Sequence, residues 1–176
     1  MRRIALVSLL VLIVSCSEPA DLVIGDSVGP DFEAVALEFW DEFEEFATDR
    51  LDCFGPVTLE ASFEIEDRAV YEWTTKTIVV RVPHSPESLR GSLVHELVHH
   101  VERECSEHED FRADYLSAMG FPTDADWYAG DRWATTPSER FAEATVEVML
   151  GARERTGDVL LSEEELVIAA LWWEGR

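Results

Sequence analysis

The chain predicts an α+β domain in which a small antiparallel sheet packs on one long helix and a helical half follows. Three patterns carry that expectation. Residues 57–65 alternate with period two, residues 76–82 form a β-branched run, and five stretches show helical spacing, one before the strands and four after them.

Each element has its own justification. Over residues 31–50, Phe32, Val35, Ala36, Phe39, Trp40, Phe43, Phe46 and Ala47 recur at helical spacing beneath an acidic outer face, and Gly55-Pro56 breaks the chain. A strand is expected over 57–65, a turn at Glu66-Asp67-Arg68, a short strand at 69–73 and another at 76–82. Ser85 as N-cap and Pro86 at the first helical position then open a helix with the stripe Leu89, Leu93, Val94, Leu97, Val98 and Val101. Residues 106–119 form a further helix, stopped by Gly120 and Pro122, and a loop over 121–135 carries Trp127, Tyr128 and Trp133. Thr136-Pro137-Ser138-Glu139 opens a helix that runs to about Leu150, and Ser162-Glu163-Glu164-Glu165 caps the last one, to Trp173. That last stretch is apolar but far too short to span a bilayer.

Composition limits the partners. The 176 residues suit one domain with a real core. Against 37 Asp and Glu stand 14 Lys and Arg, a formal charge of −23, and Lys76 is the single lysine. Such a surface repels phosphate backbones and anionic lipid, which excludes nucleic-acid binding through a basic footprint and basic adhesion to membranes. A hydrophobic content of 47% with 9 Phe, 6 Trp and 3 Tyr argues for a packed domain rather than a disordered acidic chain.

Met1-Arg2-Arg3 and the apolar run Ile4 to Val14 read as a signal peptide over residues 1–15. The run ends in Ile13-Val14-Ser15-Cys16, which resembles a bacterial lipoprotein lipobox and implies lipidation of Cys16, with an ordinary signal peptide as the alternative. Residues 16–30, rich in Pro, Gly, Ser and Asp, then read as a tether and 31–176 as the domain, exported and membrane-anchored in the cell envelope. Cys53 and Cys105 remain, and an even pair in an exported protein predicts a disulfide rather than two buried thiols.

His95-Glu96-Leu97-Val98-His99 is an HExxH pattern on an expected helix. Residues i and i+4 project from one helix face, so two imidazoles can share one ion; zinc suits them best. Glu96 beside them is placed to take a proton from water as general base. A third protein ligand is required. Cys105 stands where a third histidine six residues past His99 would be, His100 points about 100° away on the helix, and His108 is too close in sequence to fold back easily.

Downstream, Pro137-Ser138-Glu139-Arg140-Phe141-Ala142-Glu143 contains E-x-F-A-E. With the HExxH helix, this resembles the gluzincin metallopeptidases of the lethal-factor type, and Ala69-Val70-Tyr71 with Thr77-Ile78-Val79-Val80 resembles the hairpin before the metal helix of small zincins. The resemblance covers about residues 57–150. It implies a zincin-like fold, one Zn2+ held by His95, His99 and Glu139, a Glu143 that orients a metal-bound histidine, and hydrolysis of peptide or protein substrates. A capping box from Thr136 to Glu139 is the competing reading, in which Glu143 takes the ligand position.

One departure stands out. The family carries a tyrosine shortly before the ligand Glu to stabilise the oxyanion, and Arg132 and Trp133 occupy that region here. Tyr128 is the candidate substitute, and Arg132 could offer a cation. The expected function is a zinc-dependent peptidase, acting as a monomer on a peptide or protein. The alternative is a non-catalytic envelope lipoprotein that keeps the fold as a binding module.

Overall fold

A computed structural model of the chain describes residues 19–151 and 159–176. The leader over 1–15 and Cys16 lie outside the described residues. The architecture is α+β: four strands, β1 (Leu22–Ile24), β2 (Val57–Ser62), β3 (Ala69–Glu72) and β4 (Thr77–Arg81), and five helices, α1 (Pro30–Phe46), α2 (Pro86–Glu104), α3 (Glu107–Ala118), α4 (Pro137–Leu150) and α5 (Glu163–Trp173).

The sheet is mixed, not antiparallel as expected. Its order is β1-β2-β4-β3; β1 pairs parallel with β2 and β2 parallel with β4, and only β3 and β4 are antiparallel. The physical reason lies in which strand most needs cover. Ile78 and Val80 of β4 are fully buried, so β4 takes an interior position between β2 and β3, while β3 carries exposed Val70 and Glu72 and suits an edge. A second correction concerns the tether. Leu22–Ile24, inside the stretch read as tether, forms β1 in register with Val57–Leu59, and α1 supplies the crossover that parallel neighbours require.

Local chemistry explains the helices. Pro30 stands at the start of α1, whose Ala36, Phe39, Trp40 and Phe43 are buried at helical spacing. This helix ends at Phe46, short of the expected residue 50, and the chain continues as a 3-10 helix, Thr48–Cys53. On α2 the Ser85 hydroxyl accepts from the Ser88 N–H at 3.2 Å, with Pro86 at the first helical position. Ser162 and Glu165 form a full capping box on α5. The Thr136 side chain makes no such cap on α4; its hydroxyl donates to the Arg132 carbonyl at 3.1 Å instead.

Helix α2 is sandwiched between the sheet and α4, with Leu93, Val94, Leu97 and Val98 buried. Phe141 of α4 packs with Phe111, Tyr115, Trp127 and Trp172 in edge-to-face and tilted contacts that surround His108. The sulfurs of Cys53 and Cys105 lie at disulfide distance, 2.18 Å, joining the 3-10 helix to the C-terminal end of α2. Among the described residues no helix is long and apolar enough to cross a membrane.

Candidate metal centre

His95 and His99 project from one face of α2 and Glu139 from the first turn of α4, which packs along it. Their ligand-type atoms lie within 4.8 Å of one another. Nε2 of His95 is 3.2 Å from Nε2 of His99 and 2.9 Å from Oε2 of Glu139; that oxygen is 3.5 Å from Nε2 of His99. The three groups face each other; the i, i+4 spacing predicts this for the two histidines, and the resemblance implied it for Glu139.

The opposite edges of both rings are held by carboxylates. Nδ1 of His95 is 3.1 Å from Oε1 of Glu143, and Nδ1 of His99 is 2.9 Å from Oε2 of Glu102. An ionised carboxylate only accepts, so each Nδ1 donates to its glutamate, and in the neutral ring each Nε2 would be left to offer a lone pair to an ion. The two Nε2 atoms and a carboxylate oxygen converge on one point, where positive charge, as a proton or a metal cation, is favoured. The electrostatics agree. Burial works against the charged form of His95, but hydrogen bonds to Glu139 and Glu143 prevail and hold it up at about 9. His99 is likewise raised well above its ordinary value, against burial, by Glu102 and Glu139. Burial alone would raise Glu139; its hydrogen bonds to the two imidazoles outweigh that and hold its carboxyl well below the usual range.

Glu96 is 8% exposed, lines the same cleft, and has neither hydrogen bond nor ion pair among the described residues. The cleft is about 730 Å³ and runs along α2 beside the open edge of β3. Trp133 stacks on His95, centroids 5.9 Å apart and planes at 20°. Tyr128 lines the cleft, but Arg112 donates to its hydroxyl at 3.1 Å and the Glu102 carbonyl lies 3.5 Å from it. Its hydroxyl is therefore engaged at the end of α2. Arg132 is exposed and its carbonyl receives Thr135 and Thr136, so its backbone shapes the loop.

The remaining histidines stand apart. His100 bridges elements, with Nδ1 2.9 Å from the Tyr71 hydroxyl and Nε2 3.0 Å from the Gly55 carbonyl. His108 is fully buried among the aromatic rings, and Arg112 Nε donates to its Nδ1 at 3.2 Å.

Sequence reasoning missed Glu102. It is 1% exposed and ties α2 to the segment between α3 and α4, accepting from His99 through Oε2 and from Trp127 Nε1 through Oε1 at 3.1 Å. Its position three residues after His99 was the available signal, since i and i+3 share a helix face. No protein-family model, curated protein or solved structure matches the chain.

Proposed function

We propose that the protein is a zinc-dependent peptidase with a zincin-like fold, similar to the lethal-factor type of gluzincin. The observation that carries this reading is the partnerless Glu96 carboxylate, buried to 8% exposure beside three converging ligand atoms in one cleft. A purely structural metal site is closed by its ligands and has no use for such a group.

The donor set fits the ion. Two ligands about 2.1 Å from one tetrahedral zinc stand about 3.4 Å apart, and the three separations here run from 2.9 to 3.5 Å. His95, His99 and Glu139 would hold the ion, with Glu143 and Glu102 placed to orient the two imidazoles. A zinc ion in that position supplies a Lewis acid that polarises a carbonyl and acidifies water. Glu96 takes the proton from the attacking water and returns it to the leaving amine. The unpaired edge of β3 along the cleft offers backbone N–H and C=O groups to an extended peptide, which holds the scissile bond over the site. Tyr128, its hydroxyl engaged by Arg112, serves as a cleft wall. Export and anchoring through Cys16 belong to the same proposal.

The test is metal analysis of the purified full chain together with cleavage profiling against a peptide library. Wild type is expected to carry one zinc and to cleave; Glu96→Gln is expected to keep the zinc and lose about 100-fold or more of the activity. Unchanged hydrolysis in that variant would eliminate the mechanism. The committed Tyr128 hydroxyl favours one other reading, a binding module without catalysis, which the same experiment identifies as one bound zinc and no cleavage by wild type.

A further inference from the structure

The cleft has a cation that the metal chemistry does not use. Among the described residues Arg50, Arg90, Arg140 and Arg176 pair with the carboxylates of Glu107, Glu42, Glu165 and Glu174, whereas Arg68, Arg81, Arg103, Arg112 and Arg132 have no carboxylate partner. Arg103 makes no hydrogen bond and no ion pair among the described residues, although it lines the cleft one turn beyond His99.

Its guanidinium is nevertheless fixed. The central carbon sits 3.5 Å above the Tyr128 ring and 5.6 Å from the Trp73 ring, so two aromatic faces from separate segments hold it. Trp73 follows directly on the edge strand β3 and is 59% exposed. No packing need explains an indole left so open. Stacking uses the faces of a guanidinium and leaves the in-plane N–H fork unengaged, which is the geometry that receives a planar carboxylate in bidentate fashion. Arg68, also on the cleft wall and also without a carboxylate partner, has no ring beneath it.

We propose that Arg103, clamped by Tyr128 and Trp73, is a carboxylate subsite that selects substrates bearing an Asp or Glu side chain at one fixed distance from the scissile bond. The inference rests on reading the cleft as a peptide site, and it names the class of peptide. An acidic residue brought there exchanges hydration for two charge-assisted hydrogen bonds on a cation whose rotamer is already restricted.

The test separates this subsite from the hydrolysis itself. Fluorescein-labelled heptapeptides carrying Glu, Gln or Lys at each position in turn are titrated by anisotropy against the full-length Glu96→Gln variant, which leaves them intact. A Glu-over-Gln preference of about tenfold or more is expected at a single position. Adding Arg103→Gln should reduce it to near unity, Arg103→Lys should retain part of it, and Arg68→Gln should leave it in place. Equal affinity for Glu and Gln at every position, a preference that survives Arg103→Gln, or an array that binds no peptide overturns the subsite. Hydrolysis by the wild-type chain is scored separately: acid-selective binding without cleavage sinks the peptidase reading and keeps the subsite, and cleavage without acid selectivity does the reverse.

Discussion

Glu102 shows how one buried side chain can set the properties of another. Its carboxylate fixes the ring of His99 through Nδ1 and is itself fixed by Trp127. Burial pushes this carboxyl above its usual value, and the hydrogen bonds from His99 and Trp127 work against that push. Replacing it with Gln keeps the volume and removes the charge-assisted acceptor; zinc affinity, read by competition with a chelating dye, should fall by about 10- to 100-fold. His108 gives a prediction in pH. Burial, then the charges of Arg112 and Arg50, hold it well below its ordinary value, so it stays neutral in the fold while the unfolded chain binds a proton below about 6.5. The unfolded state then binds more protons than the native one, and stability falls as pH drops through 6.5, at up to about 1.4 kcal/mol per pH unit for this group. Urea titrations from pH 7.5 to 5 should show that slope flattened in His108→Phe. Part of it should survive, because His100 is also held low by its burial. At this scale much was legible: His95, Glu96 and His99 carry motif spacing, and Glu139 and Glu143 were singled out by the resemblance of E-x-F-A-E to a known family. Glu102 was hidden because 24 glutamates make any single one look like surface.

The element that completes the site is the segment between α3 and α4. Trp127 anchors it twice, through its indole N–H to Glu102 and through its carbonyl, which accepts the Ser138 N–H at 3.0 Å. Gly130 lets this segment press against the start of α4. A Cβ there would lie 2.9 Å from both N and Cα of Thr136, too close for backbone to remain in place. Gly130→Ala is therefore expected to shift the first turn of α4, which carries Glu139, and to weaken zinc binding more than it lowers the thermal midpoint. Parallel titrations of the dye and of ellipticity would check this. The helices of the fold were readable because caps and periodicity are local. The sheet was only half readable. The hairpin of β3 and β4 joins neighbours in sequence, but β1 is three residues long, too short to display a period, and the pairing of β2 with β4 skips over β3. The grouping of Trp73, Arg103 and Tyr128 was invisible for the same reason, since each comes from a different segment.

Two long-range links govern the molecule as a whole. Joining Cys53 to Cys105 closes 52 residues and, on the chain-entropy account, contributes about 4 kcal/mol. The double Cys→Ala variant should lose about that much in a denaturant midpoint analysis, with reduced wild type matching it. The second link is the early strand. Under the proposed lipidation of Cys16, six peptide steps would separate the anchor from Leu22, a leash of at most about 20 Å and roughly half the diameter of a domain this size. β1 and β3 are opposite margins of the sheet, three strand spacings or about 14 Å apart, so the proposed anchor and the candidate cleft would lie at opposite edges. On that proposal any substrate would have to come to a thin film above the lipid, because so short a leash would not let the cleft go looking for it.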